Sequence, residues 1–237
     1  MSTTNSLTAD AATQTAVSPI RPLLLIGLFR NATSDYVLVQ PLGGDIVRLS
    51  VSVPTAGLRL IPNMDVWRPG SSTETAVAWV AAVERKNGPS SLVLSRQGVP
   101  GVKHDAKDFD LVRKGGYVFS DVAGAEVIII ANGSELALAV GAAAELNAAG
   151  TKTRVVSMPS TNVFDRQDQA YRDSVLTPGV KRVAVEAAHP DFWRKYVGLE
   201  GAVVGIDTFG ESAPGGEVMK HFGFTVENVV KTVKSIL

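Results

Sequence analysis

Arg96 closes the run Leu92-Val93-Leu94-Ser95-Arg96-Gln97, whose apolar core reads as a buried strand. A guanidinium at a strand end presents a planar fork of donors that matches a phosphate or a carboxylate with two parallel hydrogen bonds. The same fork serves a salt bridge to a neighbouring acid, and the residues alone leave the two open. Asn132-Gly133-Ser134-Glu135 follows an apolar run at a strand-to-helix turn, where free backbone N–H groups can hold a phosphate. It lacks the G-x-G-x-x-G and G-x-x-x-x-G-K-[ST] spacings, and Glu135 opposes an anion. The favoured reading is a tight turn with Ser134 as the helix cap. Asp207-Thr208-Phe209-Gly210-Glu211-Ser212 is a polar loop after a strand, the usual place for function in an open α/β sheet, and equally a connection. His104, His189 and His221 stand far apart with no ligand-spaced partner, so they read as surface or loop histidines rather than zinc ligands. Neither Ser134 nor Ser212 lies in a G-x-S-x-G turn, which leaves a serine hydrolase unsupported.

Composition narrows the classes further. Lys+Arg and Asp+Glu are both 23 in 237 residues, so no basic field is present to condense on nucleic acid or an anionic membrane. Cysteine is absent, which removes disulfides, thiolate metal sites and a cysteine nucleophile. The most apolar run, residues 23–29, is far shorter than the ~20 residues of a membrane span. It follows no basic leader, so a buried strand and a cytoplasmic location are expected.

These candidates must be positioned by elements. Residues 1–19 carry almost no large apolar side chain and read as a mobile tail. Residues 20–57 are strand-rich, with strand-like runs at 23–29, 36–40 and 45–53 and a turn at Gly43-Gly44. Ser71 and Glu74 have capping-box spacing, predicting a helix with Ala76, Val77, Val80 and Val83 on one face, ended by Asn87-Gly88-Pro89. Residues 101–115 are polar and read as a linker. Beyond it strands at 126–131, 153–158, 182–186 and 202–206 alternate with helices, the last capped by Thr225 with a Val/Ile stripe. That alternation predicts an α/β fold, a mostly parallel sheet flanked by helices.

From about residue 58 onward the chain resembles the transketolase family. The end of the pyrimidine-binding domain is matched by Leu60-Ile61-Pro62-Asn63-Met64-Asp65-Val66-Trp67-Arg68-Pro69, Glu74-Thr75-Ala76-Val77-Ala78-Trp79 and Leu94-Ser95-Arg96-Gln97. The C-terminal domain is similar at Ala131-Asn132-Gly133-Ser134-Glu135, Arg154-Val155-Val156-Ser157-Met158-Pro159-Ser160, Tyr196-Val197-Gly198-Leu199, Asp207-Thr208-Phe209-Gly210 and Phe222-Gly223-Phe224-Thr225-Val226. The resemblance places a partial pyrimidine-binding domain at 58–100 and the C-terminal domain at 116–237.

The resemblance implies transfer of a two-carbon ketol unit between sugar phosphates in the pentose phosphate pathway, with thiamine diphosphate and Mg2+ at a site shared between subunits. Of the family's functional positions it carries over Arg96 alone, as a binder of the substrate phosphate. The Gly-Asp-Gly metal motif, the cofactor-activating glutamate and the active-site histidine segments have no counterpart, so no catalytic, cofactor or metal residue is assigned. A truncated transketolase, inactive alone, is therefore expected, either as a homo-oligomer or beside a cofactor-binding partner chain. A non-catalytic assembly or regulatory subunit of a split transketolase, or a decayed reading frame, are the rival readings.

Overall fold

A computed structural model describes residues 24–30, 33–39, 55–95, 98–105, 108–211 and 213–237, the first two segments as strand backbone. Arg96, Ser212, the turn at Gly43-Gly44 and the strand expected over 45–53 lie outside the described residues.

The first sheet has the order β2-β1-β4-β3. Its strands are β1 (Leu24–Arg30), β2 (Thr33–Val39), β3 (Asp65–Trp67) and β4 (Ser90–Leu94). β4 runs parallel to both β1 and β3, while β2 returns antiparallel to β1. The strand predicted at 23–29 thus pairs with one edge of β4, whose other edge is taken by β3. Helix α1 (Thr55–Arg59) precedes β3, and α2 (Ser72–Glu84) links β3 to β4.

The second sheet has the order β5-β7-β6-β8-β9. It comprises β5 (Tyr117–Ser120), β6 (Val127–Ala131), β7 (Thr153–Ser157), β8 (Lys181–Val185) and β9 (Ala202–Val204). Strands β6 to β9 are parallel, and β5 is antiparallel to β7. The helices are α3 (Asp108–Val112), α4 (Leu136–Ala148), α5 (Thr161–Asp165), α6 (Gln169–Val175), α7 (Arg194–Val197), α8 (Gly215–His221) and α9 (Val226–Ile236).

β6 is buried on both faces, as a continuous Val/Ile run must be in a covered parallel sheet. Val127 and Ile129 pack with Leu136, Leu146, Val229 and Val233 beneath α4 and α9. Ile128 and Ile130 face the opposite layer with Phe164, Val175, Trp193 and Tyr196. Thr225 caps α9 as predicted, its hydroxyl accepting from the Asn228 N–H at 3.2 Å. A third cluster lies between the two sheets: Trp67 of β3, Val77 of α2 and Leu92 of β4 meet Val112 of α3, Tyr117 of β5 and Val163 of α5.

Within residues 101–115, read as the connection between domains, α3 forms and the His104 side chain is only 2% exposed. Two local expectations are corrected. Ser134 is not the cap of the 132–135 turn: Asn132 holds the N-cap position without a side-chain capping bond, and the Ser134 hydroxyl donates to Glu135 Oε1 at 2.5 Å. α2 stops at Glu84 because the Arg85 backbone turns extended.

Candidate functional site

The two sheets meet at the carboxyl ends of β6, β7 and β8, and charged side chains converge there. Arg68 follows β3, and its backbone is stitched between two strand ends of the second sheet. Its N–H donates to Pro159 O at 2.7 Å, and its carbonyl accepts from the Gly133 N–H at 2.9 Å. This clamp directs the guanidinium into the 132–135 turn. Nη1 donates to Asn132 Oδ1 at 2.6 Å, to the Asn132 carbonyl at 3.2 Å and to the Glu135 carboxylate. Gly133 permits the approach, since its φ is +55° and a Cβ would lie 2.8 Å from the Arg68 guanidinium carbon. A turn that could have cradled an anion therefore holds a cation.

Glu186 extends from the end of β8 into the same place and is fully buried. Arg59, at the end of α1, grips it with a two-pronged contact at 2.7 and 2.6 Å. Arg68 stands 3.6 Å from the same carboxylate, and the Trp193 indole N–H donates to Glu186 Oε2 at 2.7 Å. The Arg59 guanidinium also lies 4.6 Å from the Phe192 ring centre and 5.7 Å from that of Trp193, within cation–π reach. Burial alone would push the Glu186 carboxyl up. Arg59, Arg68 and the Trp193 N–H outweigh it and hold the group down at about 2. For Arg68 burial works toward a lower value, and Glu135 and Glu186 together raise it above the ordinary one.

A second buried carboxylate lies nearby. Ser71 Oγ accepts from the Glu74 N–H at 3.1 Å, as the capping spacing predicts. The Glu74 side chain, however, accepts from the Gly70 N–H at 2.6 Å, from the Tyr117 hydroxyl at 2.8 Å and from the Ser157 hydroxyl at 2.5 Å. One carboxylate thus ties α2 to β5 and β7. Burial and then the Glu74 charge push the Tyr117 phenol far above its ordinary value. His104 Nε2 lies 2.8 Å from Ser71 Oγ, and its Nδ1 lies 3.6 Å from Asp108 Oδ2. On the outer side Arg166 forks onto Asp65 at 2.7 and 2.8 Å, with Arg85 3.1 Å from the same carboxylate.

The remaining sequence candidates do not converge on this junction. His189 and His221 keep exposed side chains. Residues 207–211 are exposed, and among them the hydrogen bond from Thr208 to the Phe209 carbonyl stays within the loop. A pocket of about 150 Å3, lined by Gly124, Ala125, Ile128, Arg154, Thr177 and Val180, lies at the opposite end of the strands. Arg154 there is engaged by Asp121 and by carbonyls of Ser174 and Val175. Sequence reasoning missed Arg59, Arg68 and Glu186. The usable signal was a charged residue terminating an otherwise apolar strand, as in Val183-Ala184-Val185-Glu186.

Chemically, the junction pairs two cations with two anions in a space closed to solvent. Glu186 is held as a carboxylate, with both oxygens occupied, and is not available as a proton shuttle. No group of three or more His, Asp or Glu able to hold a metal occurs among the described residues. The buried glutamates are bonded to arginines, hydroxyls and backbone, so the described residues do not fit a thiamine diphosphate–Mg2+ site.

Comparisons with known proteins give the family. Residues 51–101 match the transketolase pyrimidine-binding domain, and residues 115–225 match the transketolase-like C-terminal domain. Transketolase 2 of Aliivibrio fischeri is 55% identical over 184 residues, covering 77% of this chain and 28% of that protein. A transketolase structure from Leishmania mexicana superposes with a TM-score of 0.72 at 42% identity, over 76% of this chain and 26% of that one. A split-gene transketolase, described as an inactive β4 tetramer, shares the fold at a TM-score of 0.61 and 23% identity, over 77% of this chain and 61% of that one. Over the matched residues the chain is an α/β protein of the transketolase family. It carries that family's C-terminal domain and the end of its pyrimidine-binding domain, and spans about 28% of the length of the curated relative from Aliivibrio.

Proposed function

We propose that this chain is the scaffold part of a transketolase, one that seats the end of the pyrimidine-binding domain and presents Arg96 to a sugar-phosphate substrate. We assign residues 58–100 to that domain's end, 101–115 to the connection and 116–237 to the C-terminal domain. The carrying observation is the backbone clamp on Arg68, which fixes β3, and through it β4, against the second sheet. β4 ends at Leu94, two residues before Arg96. In this reading the C-terminal sheet sets where the phosphate-binding arginine stands, an entropic contribution to substrate orientation. Thiamine diphosphate, when bound in the family, supplies the carbanion chemistry. This chain's residues position and bind, and do not provide the proton-transfer groups.

The expected result is that the purified chain shows no heat of binding with thiamine diphosphate and Mg2+, and no ketol transfer in a coupled assay. Saturable binding together with turnover would overturn the reading. A second outcome distinguishes the assembly-subunit alternative: a cofactor-binding transketolase chain that co-purifies, restores turnover, and loses substrate affinity with Arg96→Ala. No helix among the described residues is long and apolar enough to cross a membrane.

A further inference from the structure

The sequence holds two Asn-Gly pairs, Asn87-Gly88 between α2 and β4 and Asn132-Gly133 directly after β6. In such a pair the glycine nitrogen can attack the carbonyl carbon of the asparagine side chain, because no Cβ on the following residue stands over it.

The fold treats the two pairs in opposite ways. Asn132 is 0% exposed, and its Oδ1 accepts from Arg68 Nη1 at 2.6 Å. The Gly133 N–H donates to the Arg68 carbonyl at 2.9 Å. Electrophile and nucleophile are each held by another residue, so reaction there waits on opening of the junction. Asn87 is exposed, and among the described residues neither its side-chain amide nor the Gly88 N–H is engaged in a hydrogen bond. What is held is the Asn87 main-chain carbonyl, which accepts from Asn63 Nδ2 at 2.6 Å.

The glycine at this pair is also required. A Cβ at position 88 would lie 2.6 Å from Asn63 Nδ2 and 2.7 Å from the Asn63 carbonyl oxygen. Asn63 cannot readily give way, since Arg85 Nη2 donates to its carbonyl at 2.7 Å and to its Oδ1 at 2.8 Å. Close packing therefore fixes, after Asn87, the residue that leaves its side chain most open to attack.

We propose that Asn87-Gly88 is a self-modifying site, with water as its co-reactant, and that its product loosens the entry to β4. The Gly88 nitrogen bonds to the carbonyl carbon of the Asn87 side chain. The bond from that carbon to the amide nitrogen breaks, and ammonia leaves with the proton that Gly88 gives up. Water then opens the cyclic imide at either carbonyl, giving aspartate or isoaspartate. In the isoaspartate the main chain runs through the former side chain and is longer by one carbon, and the carbonyl that Asn63 held becomes a free carboxylate. Pro89, two residues on, accepts from the Asp65 N–H at 3.1 Å, so the lengthening falls just before the pairing of β3 with β4.

The test incubates the full chain, folded and in urea, in a mildly alkaline buffer and follows each Asn-Gly pair by fragmentation mass spectrometry. In the folded chain Asn87 is expected to convert at least about tenfold faster than Asn132, and in urea the two should convert within about twofold of each other. Equal rates in the folded chain, or an Asn87 that converts only in urea, overturn the proposal. Asn87→Gln keeps the main-chain carbonyl but would have to close a larger ring, so most of the isoaspartate detected by enzymatic carboxyl methylation should disappear. Undiminished methylation overturns the assignment to Asn87. The converted native chain should melt about 2–4 °C below Asn87→Gln incubated alongside it, the shift expected from losing one hydrogen bond in a chain of this size. Equal Tm values overturn the loosening of β4.

Discussion

Glu186→Ala is expected to lower the stability of the chain by about 3–5 kcal/mol in urea unfolding, the usual cost of breaking one side of a buried ion pair. The side chains concerned leave little room for water to compensate: Glu186 is 0% exposed, Arg59 1% and Arg68 7%. Removing the carboxylate strips Arg59 of both fork contacts and the Trp193 indole of its acceptor. Arg68 keeps Glu135 and Asn132, which confines most of the loss to Arg59. A loss below about 1 kcal/mol would mean that the pair is solvated in solution.

The same carboxylate sets an acid dependence. Its folded value, about 2, lies below the ordinary 4.5, so the folded state favours the charged form. The resulting stability is fully present above about pH 5 and is lost as pH falls toward 2, a contribution on the order of 3 kcal/mol. Stability measured from pH 6 down to pH 2 should therefore fall less steeply in Glu186→Gln than in the native sequence. Parallel curves would show that other groups carry the acid sensitivity.

Gly115→Ala is the second large effect. Gly115 has φ +83°, and a Cβ there would lie 2.4 Å from Ser160 O and 2.6 Å from Phe164 N. Ser160 is the N-cap residue of α5 and Phe164 lies within that helix, so neither backbone atom can yield without lifting the helix from the sheet. The left-handed backbone costs about 1–2 kcal/mol and the overpacking about 1–3 kcal/mol, for a total of about 2–5 kcal/mol. Gly150 provides the control, since its φ is +91° with nothing within 4 Å of a Cβ. Gly150→Ala should show the backbone part alone. Equal thermal shifts for the two variants would remove the steric argument.

What could be read beforehand follows from which interactions are local. The β6 run of Val and Ile, the Thr225 cap with its Val stripe, and the Ser71 acceptance from the Glu74 N–H all lie within a few residues of one another. Periodicity and capping chemistry are enough to find them. β5 was hidden because Tyr117-Val118-Phe119-Ser120 is short and follows a charged stretch. α1 and α3 are five residues each, below the length at which an apolar period is visible. Glu74 shows the boundary within one residue: its backbone follows the capping pattern, but its side chain is bonded to Tyr117 and Ser157, far along the chain. His104 read as a surface or loop residue and lies in a loop, but nothing near it in sequence announces the cover over its ring. Arg96, the one residue carried over from the family, falls outside the described residues, so its role rests on the motif Leu94-Ser95-Arg96-Gln97 and on the strand leading to it.

The junction also has a consequence for the order of folding. Its contacts join residues 127, 101 and 83 positions apart, in Arg59–Glu186, Asp65–Arg166 and Glu74–Ser157. The parallel strands of the second sheet are joined by short crossovers, so their pairing closes much smaller loops. During synthesis Arg59 and Arg68 emerge well before Glu186 exists to receive them. Until the last third of the chain is made, these two guanidinium groups remain hydrated and the Trp67 cluster remains half-covered. Nascent chains are thus most exposed to misassembly between completion of α2 and closure of β8.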